Sequence, residues 1–290
     1  MKKVAIIGLG VMGFTAAGRV LAAGHAVSGF DPSDKACERA TAAGVRVAAS
    51  AAEAAREADV VLLFLPGPDQ IIGCLTGGVF AALAPGAVIV DHSTVDPDTS
   101  RKMAGEAVKA HLRYVDAPVL GRPGAVGKWA LPIGETPGAL DSCREVLNAY
   151  AGAIIPVGGP GSGNIIKLLN QLMFGAINAM TAEMMAIADG LGVAPARLFE
   201  IITASQAGTV SNLFKELGSR IAADDFESPT FSVDLLIKDV HLAVDMARNN
   251  GTPPILGRTV EYLNEMARAQ GQGSKDTAVM WKCVKRSWQG

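Results

Sequence analysis

Between Asn164 and Leu191 the chain is mostly Ile, Leu, Met, Ala and Phe, yet five polar side chains recur there: Asn164, Lys167, Asn170, Gln171 and Asn178. Steps of three, four and seven set them along one face of a helix. A lysine enclosed on such a face can serve as an acid or base, because burial disfavours the ammonium and brings its proton towards the working pH. Gln171, one turn beyond Lys167, is placed to orient the lysine or a substrate oxygen. A stripe that merely faces solvent is the competing explanation. The amides count against it, since exposed helix faces usually carry Glu and Lys at mixed spacing.

A second chemistry sits at the start of the chain. Lys3-Val-Ala-Ile-Ile runs into Gly8-Leu9-Gly10-Val11-Met12-Gly13, and an amphipathic stretch follows to Gly24. In the order strand, turn, helix, the first glycine makes the tight turn, the second lets a pyrophosphate approach the backbone, and the third lets helix pack on strand. The helix start then offers free N–H groups and a positive dipole end to the phosphates. A second strand ends in Asp31, whose carboxylate can accept hydrogen bonds from an adenosine ribose. A dinucleotide site is expected. The two chemistries fit one reaction type: hydride transfer from an alcohol carbon needs a base within reach of the hydroxyl proton.

The elements that must position these residues follow from the patterning. The 290 residues are enough for two cores. Hydrophobic residues make up 49% and charged residues 19%, which excludes a disordered chain. Net charge is −2 with no Lys/Arg run, so nothing favours nucleic acid or an anionic membrane. No apolar stretch reaches the ~18 residues of a membrane span. Glycines interrupt the apolar run after Met1-Lys-Lys too soon for a signal peptide. Cys37, Cys74, Cys143 and Cys283 are scattered, as are His25, His92, His111 and His241. Reduced thiols in a cytoplasmic protein, and no metal site, are expected.

Helices and strands alternate through the first half. Ser50-Ala-Ala-Glu53 fits a capping box. Two fully apolar strands, 59–64 and 87–91, suit a parallel sheet covered on both faces. They end in Leu65-Pro66-Gly67-Pro68 and His92-Ser93-Thr94, at the strand ends where open α/β sheets bind ligands. Tyr114-Val-Asp116 feeds a Gly/Pro-rich segment, 117–127, expected to be irregular. A helix over 139–150 lies between two last strands, 129–133 and 154–157. After the glycines at 158–163 only helical periodicity appears: one long helix over 164–191, buried all round, then 196–203, 213–222, 233–249, 255–270 and 276–288. The fold class expected is an α/β Rossmann domain with a mostly parallel, doubly wound sheet, residues 1–161, followed by an all-α domain, 162–290, reached through the long interdomain helix.

Six ordered motifs resemble the β-hydroxyacid dehydrogenase family, which includes 3-hydroxyisobutyrate dehydrogenases, tartronate semialdehyde reductases and sulfolactaldehyde reductases. They are Gly8-Leu-Gly-Val-Met-Gly13, Phe64-Leu-Pro66, Asp91-His-Ser-Thr94, Asp116-Ala-Pro-Val119, Gly163-x-x-x-Lys167-x-x-Asn170-Gln171, and Lys238-Asp239 followed by Leu242-Ala243. The resemblance spans nearly the whole chain. It implies that Lys167 is the catalytic acid/base with Asn170 and Gln171 on the substrate. It also implies that Val11, Met12, Asp31, Leu65 and Thr94 contact the dinucleotide, together with the glycine turn and Pro66. Lys238 would reach the cofactor, and the loop after Val119 would hold the substrate's acid group. Family members are commonly homodimers or homotetramers.

Two features modify this expectation. Where the family usually continues Ser-Gly-Gly, this chain has Leu120-Gly121-Arg122, in a loop about two residues shorter. A guanidinium there can pair bidentately with a carboxylate or sulfonate, which suits a small anionic substrate and raises a sulfolactaldehyde-type one. Asp31-Pro32 would repel a 2′-phosphate, so NAD is expected over NADP. Pocket shape would further depend on Phe231 and Gln206. The readings in competition are imine reduction, whose enzymes usually lack the lysine, and a non-catalytic dinucleotide-binding module.

Overall fold

The apolar runs of the first half form a sheet whose two faces bury alternate residues. The computed structural model describes residues 1–204 and 212–286, and the chain divides into two compact units, 1–167 and 168–290. In the first, β1 (Lys3–Ile7), β2 (Ala26–Phe30), β3 (Arg46–Val47), β4 (Val60–Leu63), β5 (Val88–Asp91), β6 (Arg113–Asp116), β7 (Trp129–Glu135) and β8 (Ala151–Gly158) make one eight-stranded sheet in the order β3-β2-β1-β4-β5-β6-β7-β8. Neighbours are parallel except β6 and β7. Val4, Ile6, Val60, Leu62, Val88 and Val90 face one core; Ala5, Ile7, Val61, Leu63 and Ile89 face the other. This period-two division is what buries a parallel strand on both sides and makes its sequence continuously apolar.

Helices α1 (Val11–Ala22), α2 (Asp34–Ala42), α3 (Ala51–Ala55), α4 (Pro68–Cys74), α5 (Phe80–Ala82), α6 (Pro97–Lys109) and α7 (Ala139–Leu147) connect the strands. Side chains start several of them: Ser33, Ser50 and Asp96 each accept from the backbone amide three residues on. The capping box closes one residue early, because the Glu53 carboxylate accepts from the amide of Ala49 rather than that of Ser50. A π-helical turn, Leu75–Val79, joins α4 to α5 where Gly78 takes φ 134°. The helix expected to reach residue 150 ends at Leu147, leaving Tyr150 fully buried beside β8.

Helix α8 (Ser162–Gly190) starts in the first unit and continues into the second, which also holds α9 (Pro195–Ala204), α10 (Asn212–Ala223), α11 (Val233–Asn249), α12 (Ile255–Ala269) and α13 (Met280–Arg286). The last expected helix begins instead as a 3-10 turn, Thr277–Val279, after the Asp276 cap, and Ser287 and Trp288 lie outside the described residues. Phe214, Leu217, Ile221, Phe226, Ile237 and Met280 belong to the core of this unit.

The expectation that the long helix is buried all round is wrong. Ile166, Leu169, Met173, Met180 and Ile187 are exposed, Met173 and Met180 at 62%. Four of these recur at sevens, so a continuous apolar stripe runs along α8. No described helix is long and apolar enough to cross a membrane.

Candidate active site

Three parallel strands, β4, β5 and β6, end side by side, and β5 ties the other two. Asp91, buried at the end of β5, accepts from the Tyr114 hydroxyl at 2.8 Å and from the Ser93 amide at 2.9 Å. Ser93 in turn accepts through its Oγ from the Leu65 amide at 2.9 Å, which fixes the loop after β4. His92 turns the other way. Its Nδ1 lies 2.6 Å from the Ala117 carbonyl after β6, and its Nε2 lies 2.7 Å from the Tyr150 hydroxyl. A carbonyl can only accept, so Nδ1 carries the proton and Nε2 accepts from tyrosine. Phe64 stacks on the imidazole with ring centroids 4.7 Å apart. Burial pushes His92 down to about 4, so the ring is neutral at any working pH.

The lysine sits at the same strand ends. Lys167, half-buried on the second turn of α8, donates from Nζ to the Val119 carbonyl at 2.8 Å. The start of α8 is held by Asp116, which accepts from the amides of Gly161 at 2.7 Å and Asn164 at 3.0 Å. A carboxylate suits that position because the first helical amides lack partners and the dipole is positive there. Burial nevertheless raises the Asp116 carboxyl to about 6, against the pull of those amides. Glycine is required twice around it: a Cβ on Gly134 or on Gly163 would run into Asp116. The Asn164 amide ties α8 to the loop after β5, accepting from the Val95 amide and donating to Ser100.

The segment after Val119, expected to be irregular, is partly ordered. Leu120 bridges to Ala130 of β7, and Pro123–Ala125 form a 3-10 turn. Gly121 lies so close to the Trp129 ring that a Cβ would collide with it, and the Trp129 indole donates to the Arg122 carbonyl at 2.7 Å. The backbone that carries the half-buried Arg122 is therefore anchored to a fully buried tryptophan.

At the glycine turn the three glycines do different work. A Cβ on Gly8 would collide with the Phe64 carbonyl and one on Gly13 with Gly8 itself, whereas one on Gly10 meets nothing within 4 Å. Helix α1 has no side-chain cap and no acidic residue in its first turn. Open space above Gly10 and uncapped amides over Val11 and Met12 fit a dinucleotide's pyrophosphate. Leu9 is fully buried, and its amide donates to the Asp31 carboxylate at 2.7 Å, which also accepts from Ser33. Sequence reasoning missed Arg39, whose guanidinium donates to the Leu9 carbonyl and lies 4.4 Å over the Phe14 ring.

The stripe on α8 is not a face of uniform exposure. Asn164, Gln171 and Asn178, at sevens, are buried; Lys167 is half-buried and Asn170 exposed. In the second unit Gln171 donates to Asp239 at 2.6 Å, and Lys238 pairs with the other oxygen of that carboxylate at 2.7 Å. Asn170 donates to Gln171 at 3.4 Å. Asn178 donates to the Thr277 carbonyl, a structural tie. Phe231 packs edge-on against Phe174, and Gln206 lies outside the described residues.

His92, Ser93 and Asp239 lie in motifs quoted from the sequence but were given no role there, and Tyr150 was noted only as the expected end of a helix. Their partners lie far along the chain, 58 residues apart for His92 and Tyr150. The sequence signals were the polar tripeptide at the end of an apolar strand and the Lys238-Asp239 pair.

Comparison with known proteins covers both halves. The family described as the NAD binding domain of 6-phosphogluconate dehydrogenase matches residues 3–159. That described as the NAD-binding domain of NADP-dependent 3-hydroxyisobutyrate dehydrogenase matches residues 161–284. A probable 3-hydroxyisobutyrate dehydrogenase of Mycobacterium tuberculosis is 34% identical over 264 residues, 89% of either chain. The 3-sulfolactaldehyde reductase of Escherichia coli is 30% identical over 295 residues, covering 99% of this chain and 97% of that protein. A crystal structure of 3-hydroxyisobutyrate dehydrogenase from Salmonella typhimurium is similar with a TM-score of 0.91 at 28% identity, covering 97% of this chain and 99% of that one.

Proposed function

The chain belongs to the family of NAD-dependent β-hydroxyacid dehydrogenases, and on that premise we propose that it interconverts a small anionic β-hydroxyacid, 3-hydroxyisobutyrate-like, and its semialdehyde or ketone with Lys167 as the acid/base. The observation that carries this reading is the Lys167 Nζ held 2.8 Å from the Val119 carbonyl at the ends of the parallel strands. That contact uses one Nζ–H and so fixes the direction of the group, leaving the lone pair of the neutral amine to take a proton in oxidation and an N–H of the ammonium to return it in reduction. Residues 1–161 serve as the dinucleotide-binding domain and 162–290 as the substrate and dimerisation domain.

When bound, the nicotinamide supplies the hydride acceptor. Lys167 takes the substrate's hydroxyl proton in oxidation and returns it in reduction. The turn from Gly8 to Gly13, with Val11 and Met12 at the helix start, cradles the pyrophosphate, while Asp31 is assigned to the adenosine ribose. Leu65, Pro66 and Thr94 are assigned to the same ligand, and Lys238 is placed on it by the resemblance alone. Asn170 and Gln171 are assigned to the substrate on the same ground. Val119, Leu120, Gly121 and Arg122 form the loop for its acid group.

Arg122 supports a second reading, a sulfolactaldehyde-type substrate. Its anchored backbone presents a guanidinium, which pairs with sulfonate and carboxylate alike. The exposed stripe of α8, with Ile255, Leu256 and Tyr262 of α12 also exposed, supports a homo-oligomer joined through the helical domain. The cytoplasmic location expected from four free cysteines belongs to the same reading.

Assaying 3-hydroxyisobutyrate, glycerate, serine, 4-hydroxybutyrate and 2,3-dihydroxypropanesulfonate with NAD and with NADP tests this function. Turnover of at least one with NAD preferred is expected, and Lys167→Ala should lose about 10²–10⁴-fold in kcat while still binding NAD. Turnover retained in that variant removes Lys167 from the chemistry; a preference for NADP removes the argument from Asp31. Binding of NAD without turnover of any of them would favour the non-catalytic module.

A further inference from the structure

His92 touches both loops that flank the reacting end. It stacks on Phe64, which opens the Leu65-Pro66 loop, and its Nδ1–H reaches the Ala117 carbonyl at 2.6 Å. The ring cannot turn away, because the Tyr150 hydroxyl donates to Nε2, and Tyr150 is itself buried edge-on against Trp129. The Ala117 amide is independently fixed by the Asp91 carbonyl at 2.8 Å. Both polar groups of Ala117 are therefore pinned. Between that carbonyl and the Val119 carbonyl lie Pro118, whose ring locks φ, and the Val119 backbone itself. Three soft torsions remain before the Val119 carbonyl, and its peptide is held from the far side, where the Leu120 amide donates to the Ala130 carbonyl at 2.9 Å, so the short segment is fixed at both ends.

We infer that His92 is a positioning residue for Lys167: by fixing the Ala117 carbonyl through Nδ1–H, it anchors one end of the segment whose other end the Leu120–Ala130 bridge holds, and so helps set where the Val119 carbonyl meets the lysine Nζ. The functional meaning rests on the assignment of Lys167 as acid/base, but the structural link does not. The neutral state of His92 makes the contact constant across the working pH range, so it acts as a fixed strut. Tyr150 completes the strut by fixing the tautomer and the ring angle.

The test reads Lys167 directly in the full-length protein, by competitive acetylation with acetic anhydride at pH 8 followed by peptide mass spectrometry, with Lys109 as the internal control. His92→Leu keeps apolar bulk and loses the donor. His92→Asn keeps an N–H near the Nδ1 position. In His92→Leu, Lys167 is expected to acetylate about threefold to tenfold faster, the fold-change equivalent to losing one hydrogen bond. His92→Asn should return it to within about twofold of the parent, and Tyr150→Phe should move it in the same direction as His92→Leu by less. Unchanged labelling of Lys167 in a folded His92→Leu overturns the inference. Equal disturbance in His92→Leu and His92→Asn also overturns it, since packing rather than the hydrogen bond would then be responsible. Should His92→Leu not fold, Tyr150→Phe decides alone, and labelling identical to the parent sinks the proposal. Lys167→Ala, assayed with NAD and the five hydroxyacids, separates the two ideas: its continued turnover defeats the acid/base assignment and leaves the labelling result to judge the strut.

Discussion

Helix α1 begins with no side-chain cap and no acid in its first turn, whereas the start of α8 has two amides held by the buried Asp116 carboxylate. Both helices start beside the same row of strand ends, α1 following β1 and α8 following β8, which runs opposite to β1 and β4–β6. One start is left open above Gly10; the other is filled by the protein's own anion, and every group around it is tied to a neighbouring strand. The difference matches what each is proposed to do. A phosphate-binding turn has to offer unsatisfied amides to a ligand that brings its own charge. An acid/base has to be held in one direction whether or not a ligand is present, because a small displacement costs rate. The ties at the lysine end run through Asp91, Ser93, His92, Ala117, Asp116 and Asn164, and all of these lie on or just after β5, β6 and the start of α8.

The strongest test of this contrast compares two glycines of one turn. Gly13→Ala should prevent folding or cost several kcal/mol, because its Cβ would collide with the Gly8 carbonyl. Gly10→Ala should fold with a Tm close to the parent, since its Cβ meets nothing within 4 Å. It should nevertheless lose NAD affinity by about tenfold or more, equivalent to ~1.4 kcal/mol. Thermal melts and calorimetric NAD titration check both; normal NAD binding by Gly10→Ala would show that the open space is not the pyrophosphate's.

A smaller effect is expected at the anchored loop. Arg122→Ala should raise the KM for a carboxylate or sulfonate substrate about tenfold, the cost of a charge-assisted hydrogen bond, with kcat changed much less. Equal loss in kcat and kcat/KM would place Arg122 at the reacting atoms rather than at the substrate's acid group.

The smallest effect is on stability against pH. His92 binds its proton at about 4 when folded and near 6.5 when unfolded. Between those values the unfolded chain binds more protons, so stability rises with pH. The contribution is fully present above pH ~6.5 and fades as pH falls towards 4, by about 3 kcal/mol at most. Asp116 works the other way, because its raised carboxyl pKa makes the folded form bind the extra proton between 3.8 and about 6. Urea melts of parent and His92→Leu should therefore differ in slope across pH 4 to 6.5, with the parent losing more stability on acidification. Parallel curves would mean that His92 takes up a proton in the folded state as readily as in the unfolded one.

Local features were legible in the sequence, and long-range ones were not. The strand-turn-helix at Gly8–Gly13, the Ser50 cap and the strands β4 and β5 depend on neighbours a few residues away, and the structure has them where the patterning puts them. The polar stripe of α8 was visible as a spacing. Its meaning was not, because Asn164 and Asn178 are structural ties while Gln171 joins Asp239 and Lys238. The exposed apolar stripe of the same helix was misread. Composition alone cannot separate a helix surrounded by its own chain from one with an apolar face left uncovered.

By itself, the sequence determined the order of the elements, the parallel sheet, the dinucleotide turn and the lysine, because periodicity and turn chemistry act over a few residues. Tertiary structure alone decided that Asp116 caps the long helix from 48 residues away and that His92 meets Tyr150 and Ala117. It also decided that the lysine points at the Val119 carbonyl. The physical reason is burial. Once those polar groups lie away from water, each must find a partner or cost ~1–3 kcal/mol, and the partner is whichever strand end the sheet has brought alongside.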